Sequence, residues 1–307
     1  MNNSAAPNIY LKVTGPAFQP ENAVLSSTVK ILTGYEEALS FCIQLAAVSH
    51  NYPKELQYRF SIKLKKVEFN SLDVQTYIDL LAALAPIGSA ALNLSMSLAP
   101  EVLKEGWDIF SSAYQLIVSA IKHFNKHKEP IAIEVANSPG AFIQVFTDNK
   151  GDISQLTITP NVLQAATAIH SNLEKIAKPV VAGEADEIKI DANHSDNQPI
   201  SINRSNCADL KMASREFMSE EPIQIIAHMY RLNTKTKTGK LELADDPDRP
   251  PIPFIIEGGN LSDYVDALKE EESKFIAKRE MSINALGETK VSRFILIGVL
   301  HGDAMRG

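Results

Sequence analysis

Cysteine is nearly absent from this 307-residue chain: Cys42 and Cys207 are the whole complement. Nothing resembles a disulfide framework, and no CxxC pair offers a zinc or redox site. A reducing, cytoplasmic compartment is the simplest expectation. A basic surplus is missing too. The formal charge is −7, which favours solubility and argues against the broad cationic surface that releases counterions from nucleic acid. Nucleic acid is therefore not an expected partner, although a local basic patch stays open. The first residues, MNNSAAPN, lack both the basic start and the apolar run of a signal peptide, so secretion is not expected. What is present is globular in balance, 45% hydrophobic and 22% charged, in a length that can bury two cores.

Recognisable catalytic motifs are missing as well. The chain has no GxxxxGK[ST] loop, GxGxxG fingerprint, HExxH or GxSxG elbow. His123 and His127 have the i, i+4 spacing that puts two imidazoles on one helix face, as zinc requires. Only Phe124, Asn125 and Lys126 lie between them, so a solvated helix end is the expectation. His170 and His228 are isolated and read as structural. Asp245, Asp246 and Asp248 cluster in "ADDPDRPP", but prolines stiffen the loop and the calcium-loop pattern is absent. Cys207 has no partner histidine legible in the sequence. No catalytic residue, cofactor or metal site is assigned, and a ligand site has no linear signature.

One run stands out by its lack of charge, "LLAALAPIGSAALNLSMSLAP" at residues 80–100. Its length would cross a bilayer core, which takes about 20 apolar residues. Pro86, Gly88, Asn93 and three serines dilute it, and its flanks, Asp79 and Glu101, are acidic where cytoplasmic anchors carry Lys or Arg. A helical hairpin or broken helix buried in protein is expected. The alternative is a segment that meets a membrane only after a trigger.

The remaining pattern is α+β. "NIYLKVTGP" alternates as a strand and stops at Gly15-Pro16. A helix follows behind Ser26-Ser27-Thr28, with Gly34 a weak point in its middle. "LQYRFSIKLKKVEF" (56–69) is a strand whose apolar phase changes at Val67 and Phe69, the mark of a bulge or of the strand's end. An apolar helical region spans 71–125: one helix capped by Ser71, with Val74, Tyr77, Ile78 and Leu81 on one face, and a second beginning at Pro100. Strands at 131–136, 141–147 and 152–158 form a meander. Thr159-Pro160 opens a helix ended by Lys178-Pro179, and a short strand at 186–190 closes the domain. The first domain is thus a mixed helical and antiparallel-sheet domain, 1–190. The polar segment 191–199 reads as a linker.

Residues 200–307 read as five strands with one helix between the third and fourth, the layout of an OB-like β-barrel; a generic α+β sandwich is the alternative. Arg231, Lys235, Lys237 and Lys240 gather at the first hairpin, where Tyr230, Phe254, Phe275 and Phe294 offer candidate stacking faces. Acidic side chains nevertheless outnumber basic ones in this half. The pattern "IIAHMYRLNTKTKTGKLEL…IPFIIEG…DYVDALKEEESKFIAKREMSINALGETKVSRFILIGV", with "IYLKVTGP" at the start, resembles a group of uncharacterised bacterial two-part proteins. The resemblance implies an OB-like C-terminal module and a place beside anti-phage or mobile-element genes. It implies a protein partner from the same locus and assigns no residue a role.

These readings lead to a cytoplasmic, non-enzymatic sensor or adaptor recognising a protein, lipid or small molecule. A membrane-acting protein exposing 80–100 and a single-strand nucleic-acid binder are the alternatives.

Overall fold

The computed structural model describes residues 9–18, 25–50, 61–68, 71–77, 89–135, 142–147, 153–192, 197–246 and 248–300. The α+β chain divides into two compact units, Met1–Met212 and Ala213–Gly307.

In chain order the first unit holds β1 (Ile9–Thr14), α1 (Leu25–Ser49), β2 (Ser61–Glu68), β3 (Ser71–Tyr77) and α2 (Ser89–His127). It continues with β4 (Ala132–Val135), β5 (Phe142–Thr147), β6 (Ile153–Ile158), α3 (Pro160–Val181), β7 (Glu187–Ala192), β8 (Ile200–Asn203) and a 3₁₀ turn at Cys207–Leu210. The main sheet is antiparallel in the order β2-β3-β1-β7-β8, and β4-β5-β6 form the separate meander. Period-2 alternation turns Ile9, Leu11 and Val13 of β1 inward with Ile188 and Ile190 of β7 and Ile200 and Ile202 of β8. Helix α3 packs on β7 and β8, and the three helices pack on one another.

Close helix contacts are set by glycine. A Cβ on Gly34 of α1 would lie 2.8 Å from the Asn172 carbonyl oxygen of α3, and one on Gly106 of α2 would lie 2.8 Å from Ile43 Cγ1 of α1. Among the described residues one stretch, Ser26–Ser49, is long and apolar enough to cross a membrane by length and composition. Its Ile31, Tyr35, Leu39, Cys42 and Ala46 are buried in this unit's own core.

Four expectations are corrected here. Residues 71–77 are strand rather than helix: β3 lies between β1 and β2, and two backbone ladders satisfy its polar groups where a helix would leave β1 with an open edge. Pro100 does not begin a helix but sits inside α2, which starts eleven residues earlier at Ser89. Residues 80–88 lie outside the described residues, and 89–100 form the start of α2 without a break. Pro179 does not end its helix either: α3 runs to Val181. Finally, the segment 191–199 is no linker between units. Its flanking strands pair within the first unit, Ile190 with Ile200 and Glu187 with Asn203, while residues 193–196 lie outside the described residues. The bulge inferred from the phase change in β2 is present, between Leu64 and Lys66.

The second unit holds β9 (Ser214–Met218), β10 (Ile223–Asn233), β11 (Thr238–Leu243), β12 (Ile252–Ile256), α4 (Leu261–Ala267), β13 (Ser273–Asn284) and β14 (Thr289–Leu300). Strands run in the order β10-β11-β12-β14-β13, and β13 pairs back on β10, which closes a five-stranded barrel. All these pairings are antiparallel except β12–β14, which is parallel. The β13–β14 hairpin outruns the barrel, and β9 adds to its free edge along Glu280–Asn284. The core is filled by Ile225, Met229, Leu241, Phe254, Phe275 and Phe294. Tyr264 of α4 stacks on Phe275 with ring centroids 6.3 Å apart and donates its hydroxyl to the Gly258 carbonyl at 2.9 Å. Burial, then the Asp263 charge, pushes its pKa up to about 12, so the phenol stays a donor.

Candidate functional site

In the first unit the C-terminal end of α3 meets the start of α1 and the 3₁₀ turn around a cavity of about 450 Å³. Thr159 opens α3 by accepting from the Val162 N–H, with Pro160 at the first position, where no N–H is needed. The helix closes with a two-bond left-handed cap: the Glu184 N–H donates to the Pro179 carbonyl at 2.9 Å and the Gly183 N–H to that of Val180 at 3.1 Å. Gly183 takes φ 75°, the conformation this turn demands, with nothing near its missing Cβ. That turn delivers Glu184 to the cavity wall, where its carboxylate accepts from the fully buried Ser27 hydroxyl of α1. The Glu174 carboxylate accepts the Met212 N–H at 2.7 Å, and Lys122 of α2 pairs with Asp209 at 3.2 Å. These bonds seat the 3₁₀ turn on the helices. Burial, then the Asp209 charge, pushes the Tyr114 pKa of α2 up to about 12.

The floor of the cavity is apolar: Ala177, Pro179, Val181, Ala182 and Leu210. Val181 leaves 68% of its surface exposed, an unusual state for a branched aliphatic side chain. Lys30, Lys178 and Lys211 stand round the rim, all exposed. Among the described residues none of the three pairs with a carboxylate, whereas both wall carboxylates already have donors. Cys207 lines the same wall and is half-buried, its thiol facing the Arg204 carbonyl at 3.7 Å. A second hollow, of about 520 Å³, shares Val181, Ala182, Cys207 and Lys211 with it. Apolar floor, cationic rim and satisfied acids suit an amphipathic anion.

The residues singled out in the sequence are dispersed. The rings of His123 and His127 lie 4.6 Å apart at the end of α2. Among the described residues no group of three or more His, Cys, Asp or Glu converges as a metal site would. Burial, then the charge on His127, lowers the His123 pKa, partly offset by Glu129. His170 contacts the Thr167 carbonyl of its own helix at 3.1 Å, and His228 the Glu270 carbonyl at 3.2 Å. Asp246 shapes its own loop, accepting the Arg249 N–H at its carbonyl. Cys42 is fully buried, and desolvation holds its thiol far above the ordinary range, so it is inert.

The four aromatics considered as stacking faces on the barrel are mostly core residues, as their alternation with polar neighbours suggests. Phe254, Phe275 and Phe294 are within the core; Tyr230 alone of the four is exposed, lying against His228 with ring centroids 6.5 Å apart. Arg231, Lys235, Lys237 and Lys240 are exposed at the β10–β11 hairpin, whose tip is built by Asn233 Oδ1 accepting the Lys235 and Thr236 N–H groups. A single-strand platform needs both charge and stacking faces, and of the four candidate faces Tyr230 alone is exposed.

Sequence reasoning missed the lysine-rimmed cavity. Its lining comes from positions as distant as Lys30 and Lys211, and the 3₁₀ turn that completes it has no periodic pattern. Comparison with known proteins found no family model, no relative and no solved structure that matches the chain.

Proposed function

We propose that the chain is a non-enzymatic recognition protein whose first unit binds a small amphipathic anion, with a fatty carboxylate as the simplest example. The observation carrying this is the trio Lys30, Lys178 and Lys211 around the floor formed by Ala177, Pro179, Val181 and Leu210. The apolar floor supplies the affinity. Each buried methylene contributes about 0.8 kcal/mol, so roughly six of them yield about 5 kcal/mol and a sub-millimolar dissociation constant. The lysines, exposed and screened, contribute orientation and charge selection more than strength.

The second unit is read as an OB-like module that presents a surface to a protein partner. This reading rests on the strand order, the parallel β12–β14 closure and the helix between the third and fourth barrel strands. The edge strand β9 carries exposed Phe217 and Met218, the apolar surface such a partner would cover. A place in bacterial defence is carried only by the resemblance of the C-terminal pattern.

The test is calorimetric titration of the full chain with decanoate and with decanol. Decanoate is expected to bind at the lysine-rimmed cavity, decanol there at least tenfold more weakly, and K178Q/K211Q to remove that component of the difference. Equal binding of acid and alcohol by the wild type, or no binding of either, would contradict the reading. Reproducible turnover of any substrate that survives purification controls would contradict the non-enzymatic part.

A further inference from the structure

We infer that the open end of the barrel is a second anion site, one that grips a carboxylate or phosphate on an apolar body between Arg249 and Arg279. Helix α4 follows β12 and precedes β13, so Tyr264 fills the end of the barrel where β13 begins at Ser273. Six residues further along β13, Arg279 continues the inward alternation of Phe275 and Ala277 and lies opposite Phe294 of β14. Its backbone is fixed on both sides, its N–H donating to Ser219 Oγ at 2.9 Å and its carbonyl accepting from the Ser219 N–H at 2.8 Å. The side chain lines the mouth.

That mouth is a cavity of about 620 Å³, walled by Ile223, Ile225, Leu243, Val291 and Phe294. The Arg279 Nε is buried there without a hydrogen-bond partner. A buried guanidinium N–H left unpaired is costly, so an acceptor belongs opposite it. Arg249 enters from the β11–β12 loop, and among the described residues its guanidinium makes one hydrogen bond, to the Val291 carbonyl at 3.5 Å, the long limit of such a bond. Asp245 also lines the mouth, yet among the described residues it forms no ion pair with either arginine. Two planar forks facing one apolar hollow match the two oxygens of a carboxylate or phosphate. The hollow is much larger than a bare anion, so the ligand carries an apolar body.

The site is independent of the lysine-rimmed cavity and is tested separately. The full chain is titrated calorimetrically with phenyl phosphate, phenylacetate, inorganic phosphate and benzyl alcohol. One of the two aromatic anions is expected to bind one per chain, and the tighter of them names the acid group. R249Q should weaken it at least tenfold, R249K should give an intermediate loss because charge remains without the fork, and K178Q/K211Q should leave it unchanged. Arg249 is half-buried on a loop, so an unaltered melting temperature certifies that the variants fold. The inference is overturned if neither aromatic anion binds, if R249Q binds as well as wild type, if benzyl alcohol binds equally, or if inorganic phosphate binds as tightly as phenyl phosphate.

Discussion

Gly34 of α1 lies directly against the backbone of Asn172 in α3: a methyl group at Gly34 would stand 2.8 Å from the Asn172 carbonyl oxygen and 3.0 Å from Ile176 Cγ1. The obstacle is main chain, which cannot swing aside as a long side chain would. Helix propensity alone favours Gly34→Ala by about 1 kcal/mol, while overpacking a close contact costs about 1–3 kcal/mol. The packing term wins. Gly34→Ala should lower stability in a urea melt, and a rise in midpoint would show that the two helices do not meet at this position.

The β10–β11 hairpin offers two opposite outcomes two residues apart. A Cβ at Gly239 would lie 2.0 Å from the Arg231 carbonyl oxygen and 2.5 Å from Phe254 Cζ, so Gly239→Ala should destabilise the barrel by several times the usual surface effect of about 0.5 kcal/mol. Lys237 has φ 54°, a left-handed conformation that costs a side-chain-bearing residue about 1 kcal/mol. Lys237→Gly should therefore stabilise, or at worst be neutral. Thermal melts of the two variants moving in the same direction would contradict the hairpin geometry.

His123 makes stability depend on pH. Burial, then His127, with Lys126 in the same direction and Glu129 against it, holds its pKa below the ordinary 6.5. The folded chain thus takes this proton less readily than the unfolded chain. The His123 contribution is complete above the ordinary imidazole value and is lost as pH falls below it, because protonation then favours the unfolded state. Urea melts of wild type and His123→Gln between neutral and mildly acidic pH should differ in slope, the wild type falling more steeply. Parallel slopes would remove His123 from the account.

How much of this was legible in the sequence depends on how local the signal was. The barrel strands, α4 and the Thr159-Pro160 helix start are written in short-range patterns: alternation of Ile225, Ala227 and Met229, or a cap followed by proline. β3 was misread because Val74, Tyr77, Ile78 and Leu81 fit a helical stripe, while its short alternation is decided by the ladders to β1 and β2. Pro100 misled in the same way, since a proline favours a helix start locally and only packing can hold one inside α2. Pairing of β8 with β7 is likewise a long-range fact. Both cavities belong to this class. Lys30, Lys178 and Lys211 meet only after α1, α3 and the 3₁₀ turn are assembled, and Arg249 and Arg279 only after the barrel closes.

Alkylation of the two thiols tests the central claim most directly, because Cys207 lines the lysine-rimmed cavity and Cys42 is sealed in the core. With iodoacetamide under native conditions, mass spectrometry should show Cys207 labelled and Cys42 untouched. Saturating decanoate should then slow Cys207 labelling several-fold, decanol should not, and K178Q/K211Q should cancel the protection. Cys207 labelling at the same rate with and without decanoate would contradict the assignment of this cavity as a binding site.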